Sequence, residues 1–154
     1  MDAFSLKPEE LPDLTIDTLG EPKIDSPLTE VGRGFVEDSE KVLMYTHSED
    51  IKKSTDIGKE LPMLERAGPR RNIFFEPEKL TCGIVTCGGL CPGLNDVVRT
   101  ITLSLLWQYK VKAVYGFRYG YMGLSSKAPE KPILLRPELV DDIHLKGGDI
   151  LSSS

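Results

Sequence analysis

Residues 80–99, reading LTCGIVTCGGLCPGLNDVVR, constrain this chain more than any other part, because a short apolar strand pattern runs into a glycine-rich loop and leaves it as a helix pattern. Ile84 and Val85 lie in a run flanked by small residues and too short for a helix. Gly88 and Gly89 end that run with two residues that tolerate positive φ and leave the backbone open. Pro92 and Gly93 punctuate the loop, and Asn95 is placed to cap the helix beyond it. In that helix pattern Leu94, Val97, Val98, Ile101, Leu105 and Leu106 recur at helical spacing, so unpaired N–H groups and the positive end of a helix dipole are expected to face the loop. A junction of this kind is an anion site.

The type of anion site narrows by elimination. Gly88 and Gly93 have the outer glycine spacing of a P-loop, but Leu94 and Asn95 stand where a lysine and a hydroxyl residue are required. The dinucleotide fingerprint needs a G-x-G-x-x-G rhythm, whereas here two glycines are adjacent and the third is four residues on, with a proline between. No acidic residue closes the later strand pattern VKAVYGF, where a ribose hydroxyl needs one, so a dinucleotide oxidoreductase is disfavoured. What GGLCPGLNDVVR resembles is the first nucleotide-phosphate loop of the 6-phosphofructokinases, and within them the plant-type ATP-dependent branch.

Charge is unevenly spread. Residues 1–79 hold 18 acidic and 11 basic side chains, a balance of -7, while residues 80–154 hold 6 and 8, a balance of +2. A net acidic chain with no lysine or arginine cluster offers no electrostatic reason to expect nucleic acid or an anionic membrane. No apolar run reaches the length of a transmembrane span, and the start MDAFSLKPEE lacks the basic and apolar regions of a signal peptide, so a cytoplasmic address is expected. The three cysteines, Cys82, Cys87 and Cys91, all lie in the organising stretch with no histidine near them in sequence, which excludes an ordinary closed zinc site and leaves packing as their expected role.

Residues 1–40 carry Pro8, Pro12, Pro22 and Pro27 among scattered carboxylates and too few apolar residues for a periodic face, and they read as an extended arm. The cluster LTIDTLG at 14–20 is a candidate for docking or edge pairing. KVLMYTH, residues 41–47, is the first strand candidate, and SEDIKKS opens a helical turn. ERAGPRRNIFFEP, residues 65–77, is similar to a run upstream of the glycine loop in plant-type phosphofructokinases. Arg70 and Arg71 there are either phosphate ligands or, the favoured reading, a solvated pair beside a turn, and Phe74 and Phe75 are expected to anchor the connector on a core. Residues 1–79 are thus an acidic arm and connector, and residues 80–154 the beginning of a domain.

Beyond the helix, expected to end near Tyr109 and Lys110, VKAVYGF suits a second buried strand. Strand, loop, helix, strand is the start of a parallel, Rossmann-like α/β sheet, whose ligands bind at the carboxyl ends of the strands. The loop RYGYMGL lies at such an end and is similar to a Y-G-x-x-x-G-Y-x-G-L run of the same family. The resemblance implies that Tyr121 lies against a nucleotide base; packing at a sheet rim is an equal alternative. In RPELVDDIHLKGG, Pro137 suits a first helical turn, Glu138 complements the dipole, Val140 and Ile143 face inward, Lys146 and Gly147 close the helix, and His144 is a surface or cap residue. GGDILSSS, residues 147–154, resembles the family's GGTxLGSSR, with Asp149 in place of a hydroxyl residue and Ser152 in place of a glycine. Arg99 falls where bacterial relatives of the family place an effector-site arginine, and is otherwise a solvated helix residue.

The resemblance therefore implies an α/β chain forming the start of a phosphofructokinase domain, truncated and preceded by an extended arm. It implies transfer of the γ-phosphoryl group of Mg-ATP to fructose 6-phosphate in glycolysis, with Gly88, Gly89 and Tyr121 as nucleotide-binding residues. No catalytic or metal-binding residue is assigned within these 154 positions, because the family's magnesium loop and catalytic aspartate lie further on. A homo-oligomer is implied for the full-length enzyme. A pyrophosphate-dependent phosphofructokinase fragment and a non-catalytic nucleotide-binding or interaction module are the alternatives.

Lacking the base and the metal loop, the 154-residue chain is expected to show no phosphofructokinase turnover alone. A coupled assay with fructose 6-phosphate and ATP or pyrophosphate checks this. Turnover approaching that of a chain extended through the downstream reading frame would refute it.

Overall fold

The computed structural model describes residues 16–32, 34–56 and 61–153. They divide into two compact units, one of residues 16–23 and 34–74, the other of residues 24–32 and 75–153.

In the first unit, β1 (Lys41–Leu43) pairs antiparallel with β2 (Met63–Glu65), Lys41 opposite Glu65 and Leu43 opposite Met63. The Lys41 ammonium lies 3.6 Å from the Glu65 carboxylate, a cross-strand ion pair in register. β1 is shorter than the apolar run that predicts it, because the His47 carbonyl already accepts from Asp50 and Ile51 to start helix α1 (Ser48–Asp56). Of the cluster at 14–20, residues 14 and 15 lie outside the described residues, and from Ile16 onward it forms no strand. Phe74, and Phe75 at the start of the second unit's main segment, keep 43% and 49% of their surface exposed, so neither is the buried anchor expected of it.

The second unit is built on a three-stranded sheet. β3 (Thr81–Val85) pairs parallel with β4 (Ala113–Phe117), Thr81 opposite Ala113 through Val85 opposite Phe117. β4 is central, and its other side pairs with β5 (Ile133–Leu135). The parallel start agrees with the strand–loop–helix–strand reading. β5 was not anticipated, and it runs antiparallel, making the sheet mixed. The connection from β4 to β5 carries a 3-10 turn, Gly120–Leu124, and no crossover helix, so the chain returns in the opposite direction.

Helix α2 (Leu94–Leu103) crosses between β3 and β4 and continues into a π-helical turn, Ser104–Gln108. Tyr109 caps it and Lys110, at φ 56, turns the chain out, where the sequence predicts the end. Its inward face differs from the apolar stripe. Asn95, Val98 and Thr102 are buried, whereas Val97 and Ile101 are exposed. The Thr102 hydroxyl donates to the Val98 carbonyl at 2.8 Å, which lets a polar residue occupy a dry position without an unpaired group. Core residues Val114, Leu135, Val140 and Leu151 are almost wholly buried, with Ile143 beside them. Pro137 opens the short helix α3 (Pro137–Val140), and Val140 and Ile143 point inward as the sequence predicts. The Arg99 side chain reaches the Asp141 carbonyl at 3.1 Å and its carboxylate at 3.6 Å, tying α2 to the end of α3. Residues 24–32 add a 3-10 turn, Pro27–Val31, capped by the Ser26 hydroxyl; its Leu28 is buried, and the turn lies beside the π-helical turn.

Glycines in this unit fall into two kinds. A Cβ at Gly116, in β4, would collide with Leu151 and stand 3.3 Å from both Leu135 methyl groups, whereas one at Gly89 would meet nothing within 4 Å. Gly116→Ala is therefore expected to cost about 1–3 kcal/mol of stability by overpacking, and Gly89→Ala to stay within about 0.5 kcal/mol of the parent. Urea unfolding followed by circular dichroism checks the contrast; equal effects would refute it.

Candidate active site: the carboxyl edge of the parallel strands

Because β3 and β4 run parallel, the loops that leave them emerge at one edge of the sheet. Gly88 and Gly89 lie in the loop after β3, and Tyr121 lies in the Gly120–Leu124 turn after β4, which packs against β3. The structure therefore brings the three sequence-predicted residues to the same edge, on neighbouring strands.

The glycine loop is open. Gly88 takes φ 96, a backbone conformation that L side chains rarely adopt, and a Cβ at either Gly88 or Gly89 would face empty space. Among the described residues none stands within 4 Å of a Cβ at Gly89, so the space beside it is open. Gly93, at φ 85, is the N-cap of α2, and no side chain caps the helix. Asn95 is not that cap. Its amide nitrogen donates to the Lys146 carbonyl at 2.9 Å and its carbonyl oxygen accepts from the Ile150 N–H at 3.0 Å. The residue expected to cap the start of the helix instead fastens residues 146–150 to its first turn, leaving the α2 N-terminus facing the loop, with Asp96 as the carboxylate of that turn.

A third loop completes the edge. Asp149 accepts from the Thr86 hydroxyl at 2.6 Å through one carboxylate oxygen and from the Leu151 N–H at 2.9 Å through the other. This ties residues 149–151 to the residue directly after β3. On the β4 side, the Tyr119 N–H is shared between the carbonyls of Leu151 at 2.9 Å and Ser152 at 2.8 Å. Asn95, Thr86 and Asp149 were missed as site-building residues by the sequence reading. The signal for Asp149 was its replacement of a hydroxyl residue, and for Asn95 its place among apolar helix positions.

Tyr121 is 73% exposed, so its ring is open to a partner and is not packed into the sheet rim. The turn that carries it is closely built. A Cβ at Gly123 would overlap the Arg118 carbonyl, and Tyr119 and Gly120 both take left-handed conformations, φ 63 and 58. Of the cysteines, only Cys82 packs against the core, where burial pushes its thiol pKa up. Cys87 and Cys91 are exposed, which corrects the packing role expected of them: burial ends at Thr86, and residues 87–93 are all exposed. The Arg70 and Arg71 pair belongs to the first unit. Arg70 is engaged with the Asp38 carboxylate at 2.8 Å and the Arg66 carbonyl at 2.9 Å, and the Arg71 guanidinium stands 5.0 Å from the Phe35 ring centroid. His144 is exposed, as expected.

Among the described residues no three histidine, cysteine, aspartate or glutamate side chains are grouped to hold a metal ion, and no helix is long and apolar enough to cross a membrane.

One titrating cluster borders the edge. The Glu130 carboxylate accepts from the Tyr119 hydroxyl at 2.7 Å and from the Arg118 guanidinium at 2.5 Å. These bonds, Tyr119 first, hold its pKa below the usual 4.5, while the Glu130 bond holds the Tyr119 phenol above 10.0. A depressed carboxyl contributes stability above its unfolded pKa and loses it as pH falls through the folded value. A raised phenol contributes below its unfolded pKa and loses that as pH rises through the folded value. The cluster is thus intact between those limits and opens at either end. Carbon-detected NMR titration is expected to place Glu130 below 4.5, and Tyr119→Phe to move that midpoint upward; an unmoved midpoint would refute the assignment.

The family model described as Phosphofructokinase matches residues 81–154. The ATP-dependent 6-phosphofructokinase of Amycolatopsis methanolica is 42% identical over 150 residues, 94% of this chain and 32% of that protein. That of Borreliella burgdorferi is 40% identical over 158 residues, 98% of this chain and 34% of that protein. The chloroplastic ATP-dependent 6-phosphofructokinase 5 of Arabidopsis thaliana is 39% identical over 137 residues, 83% of this chain and 25% of that protein. The chain spans a quarter to a third of the length of these relatives. With its parallel β3–α2–β4 unit and open glycine loop inside the matched region, this chain belongs to the phosphofructokinase family.

Proposed function

We propose that this chain is the amino-terminal part of an ATP-dependent 6-phosphofructokinase and supplies part of its nucleotide clamp. In the complete reaction the 1-hydroxyl oxygen of fructose 6-phosphate bonds to the γ-phosphorus of ATP, the bond to the β-phosphate oxygen breaks, ADP leaves, and the hydroxyl proton passes to a base. The observation that carries this reading is the open Gly88-Gly89 backbone beside an uncapped helix start. Backbone N–H groups and the α2 dipole there favour the phosphate charge with no side chain in the way. Tyr121, exposed on the adjacent strand's turn, is the residue assigned to the base.

The donor is read as ATP rather than pyrophosphate because the relatives aligned along most of this chain are named ATP-dependent. Magnesium accompanies ATP in that reading. The residues described here do not form a ligand group for it, and both Asp149 oxygens are occupied by Thr86 and Leu151, so no step is routed through a metal held by this chain. Residues 80–154 are assigned to the nucleotide-binding domain and residues 1–79 to an arm and connector; a cytoplasmic, homo-oligomeric enzyme completes the proposal.

Gly89→Val tests the clamp. A branched side chain would fill the space left open above the loop, so ATP affinity is expected to fall at least about tenfold while the unfolding midpoint stays near the parent's. Isothermal titration with ATP gives the answer, and unchanged affinity would sink the assignment.

A further inference from the structure

Glu130 belongs to no motif that carried the functional reading, yet its carboxylate meets the hydroxyl of Tyr119, the residue that precedes the Gly120–Leu124 turn. Tyr119 is a non-glycine residue at φ 63, and Ser152, whose carbonyl accepts from the Tyr119 N–H, is another at φ 55. Two left-handed residues therefore face each other across one shared hydrogen bond. Such conformations persist only where surrounding contacts over-determine them, and they gather at ligand-binding segments. Here the contacts are specific. The Tyr119 N–H is held by Leu151 and Ser152, its hydroxyl by Glu130, and Glu130 also binds Arg118, whose carbonyl lies against Gly123 of the adjoining turn. That turn, Gly120–Leu124, starts at Tyr119 and carries the exposed Tyr121.

We propose that Glu130 is a positioning residue for nucleotide binding: by gripping Arg118 and the Tyr119 hydroxyl together, it fixes the Gly120–Leu124 turn so that the Tyr121 ring is presented to the base of a nucleoside triphosphate. The proposal rests on the nucleotide reading above and adds to it a residue that touches no ligand. Ion pairs this exposed contribute little to global stability, so the effect of Glu130 is on loop geometry and not on whether the chain folds. The phosphate end of the ligand is held by other groups, at Gly88, Gly89 and the start of α2, which Glu130 does not contact.

The test is a double-mutant cycle read by isothermal titration on the 154-residue chain, with ATP and with inorganic tripolyphosphate, which has the phosphates and no base. Glu130→Ala, which removes both charge-assisted hydrogen bonds, and Tyr119→Phe, which removes one, are each expected to weaken ATP binding about tenfold or more and to leave tripolyphosphate binding within about twofold, the loss acting through the base contact. Glu130→Gln, which still accepts from the Tyr119 hydroxyl, is expected to fall between parent and Glu130→Ala. In a Tyr121→Leu background, Glu130→Ala is expected to cost no further ATP affinity. Tyr119→Phe removes a single hydroxyl and keeps the test valid should Glu130→Ala fold poorly. Equal losses for ATP and tripolyphosphate, additive losses with Tyr121→Leu, or parent-like ATP binding by Glu130→Ala and Tyr119→Phe would each overturn the positioning role while leaving the nucleotide site standing. A parent chain that binds neither ligand would bring down both readings.

Discussion

The parallel pairing of β3 with β4 is the constraint on which the second unit depends. Two strands that run the same way must be joined by a crossover, and α2 with its π-helical turn is that crossover. The same geometry sends the loops after both strands to one edge, so the glycine loop and the Tyr121 turn are neighbours although more than thirty residues separate them in sequence. A slip of one residue in this register would exchange the core-facing and outward-facing side chains of β4. Val114, fully buried, and Gly116, pressed by Leu135 and Leu151, leave no room for that exchange.

The third loop is tied to the edge through one carboxylate. Asp149 stands where the family resemblance carries a hydroxyl residue, and it binds Thr86 and the Leu151 N–H, a role that a carboxylate fills with two acceptors at once. Ser152 stands where that resemblance carries a glycine, and its backbone keeps the left-handed conformation that a glycine adopts freely. The serine holds this geometry at a cost of about 1 kcal/mol, offset by the Tyr119 N–H bond to its carbonyl. Both departures thus preserve the shape of the turn while changing the chemistry of the side chains on it.

Several charges of the first unit are paired within it. Glu40 binds the Arg66 guanidinium and the Glu37 N–H, which lowers its pKa, the Glu37 bond foremost; Arg70 binds Asp38; and Lys41 faces Glu65. These contacts sit at or near the surface and join chain segments that share little buried apolar area. They engage several of the acidic side chains of residues 1–79 without invoking an external partner, and they leave Arg70 and Arg71 engaged within their own unit.

The existence and order of β3, the glycine loop, α2 and β4 were legible because each rests on local chemistry: a short apolar run, adjacent glycines, helical spacing, a β-branched run. Pro137 at a helix start and the inward Val140 and Ile143 were legible for the same reason. What the sequence could not decide was which polar residues turn inward. Asn95 reads as a cap, and Thr102 falls outside the apolar stripe, until the fold supplies the Lys146 carbonyl and Ile150 N–H for one and the helix supplies its own Val98 carbonyl for the other. The antiparallel β5, the outward turn of Cys87 and Cys91, and the meeting of Thr86 with Asp149 across 63 positions likewise depend on partners distant in sequence. Hydrophobic periodicity is a property of a segment and is written in it, whereas the satisfaction of a buried polar group is a property of two segments brought together, and only the tertiary structure decides it.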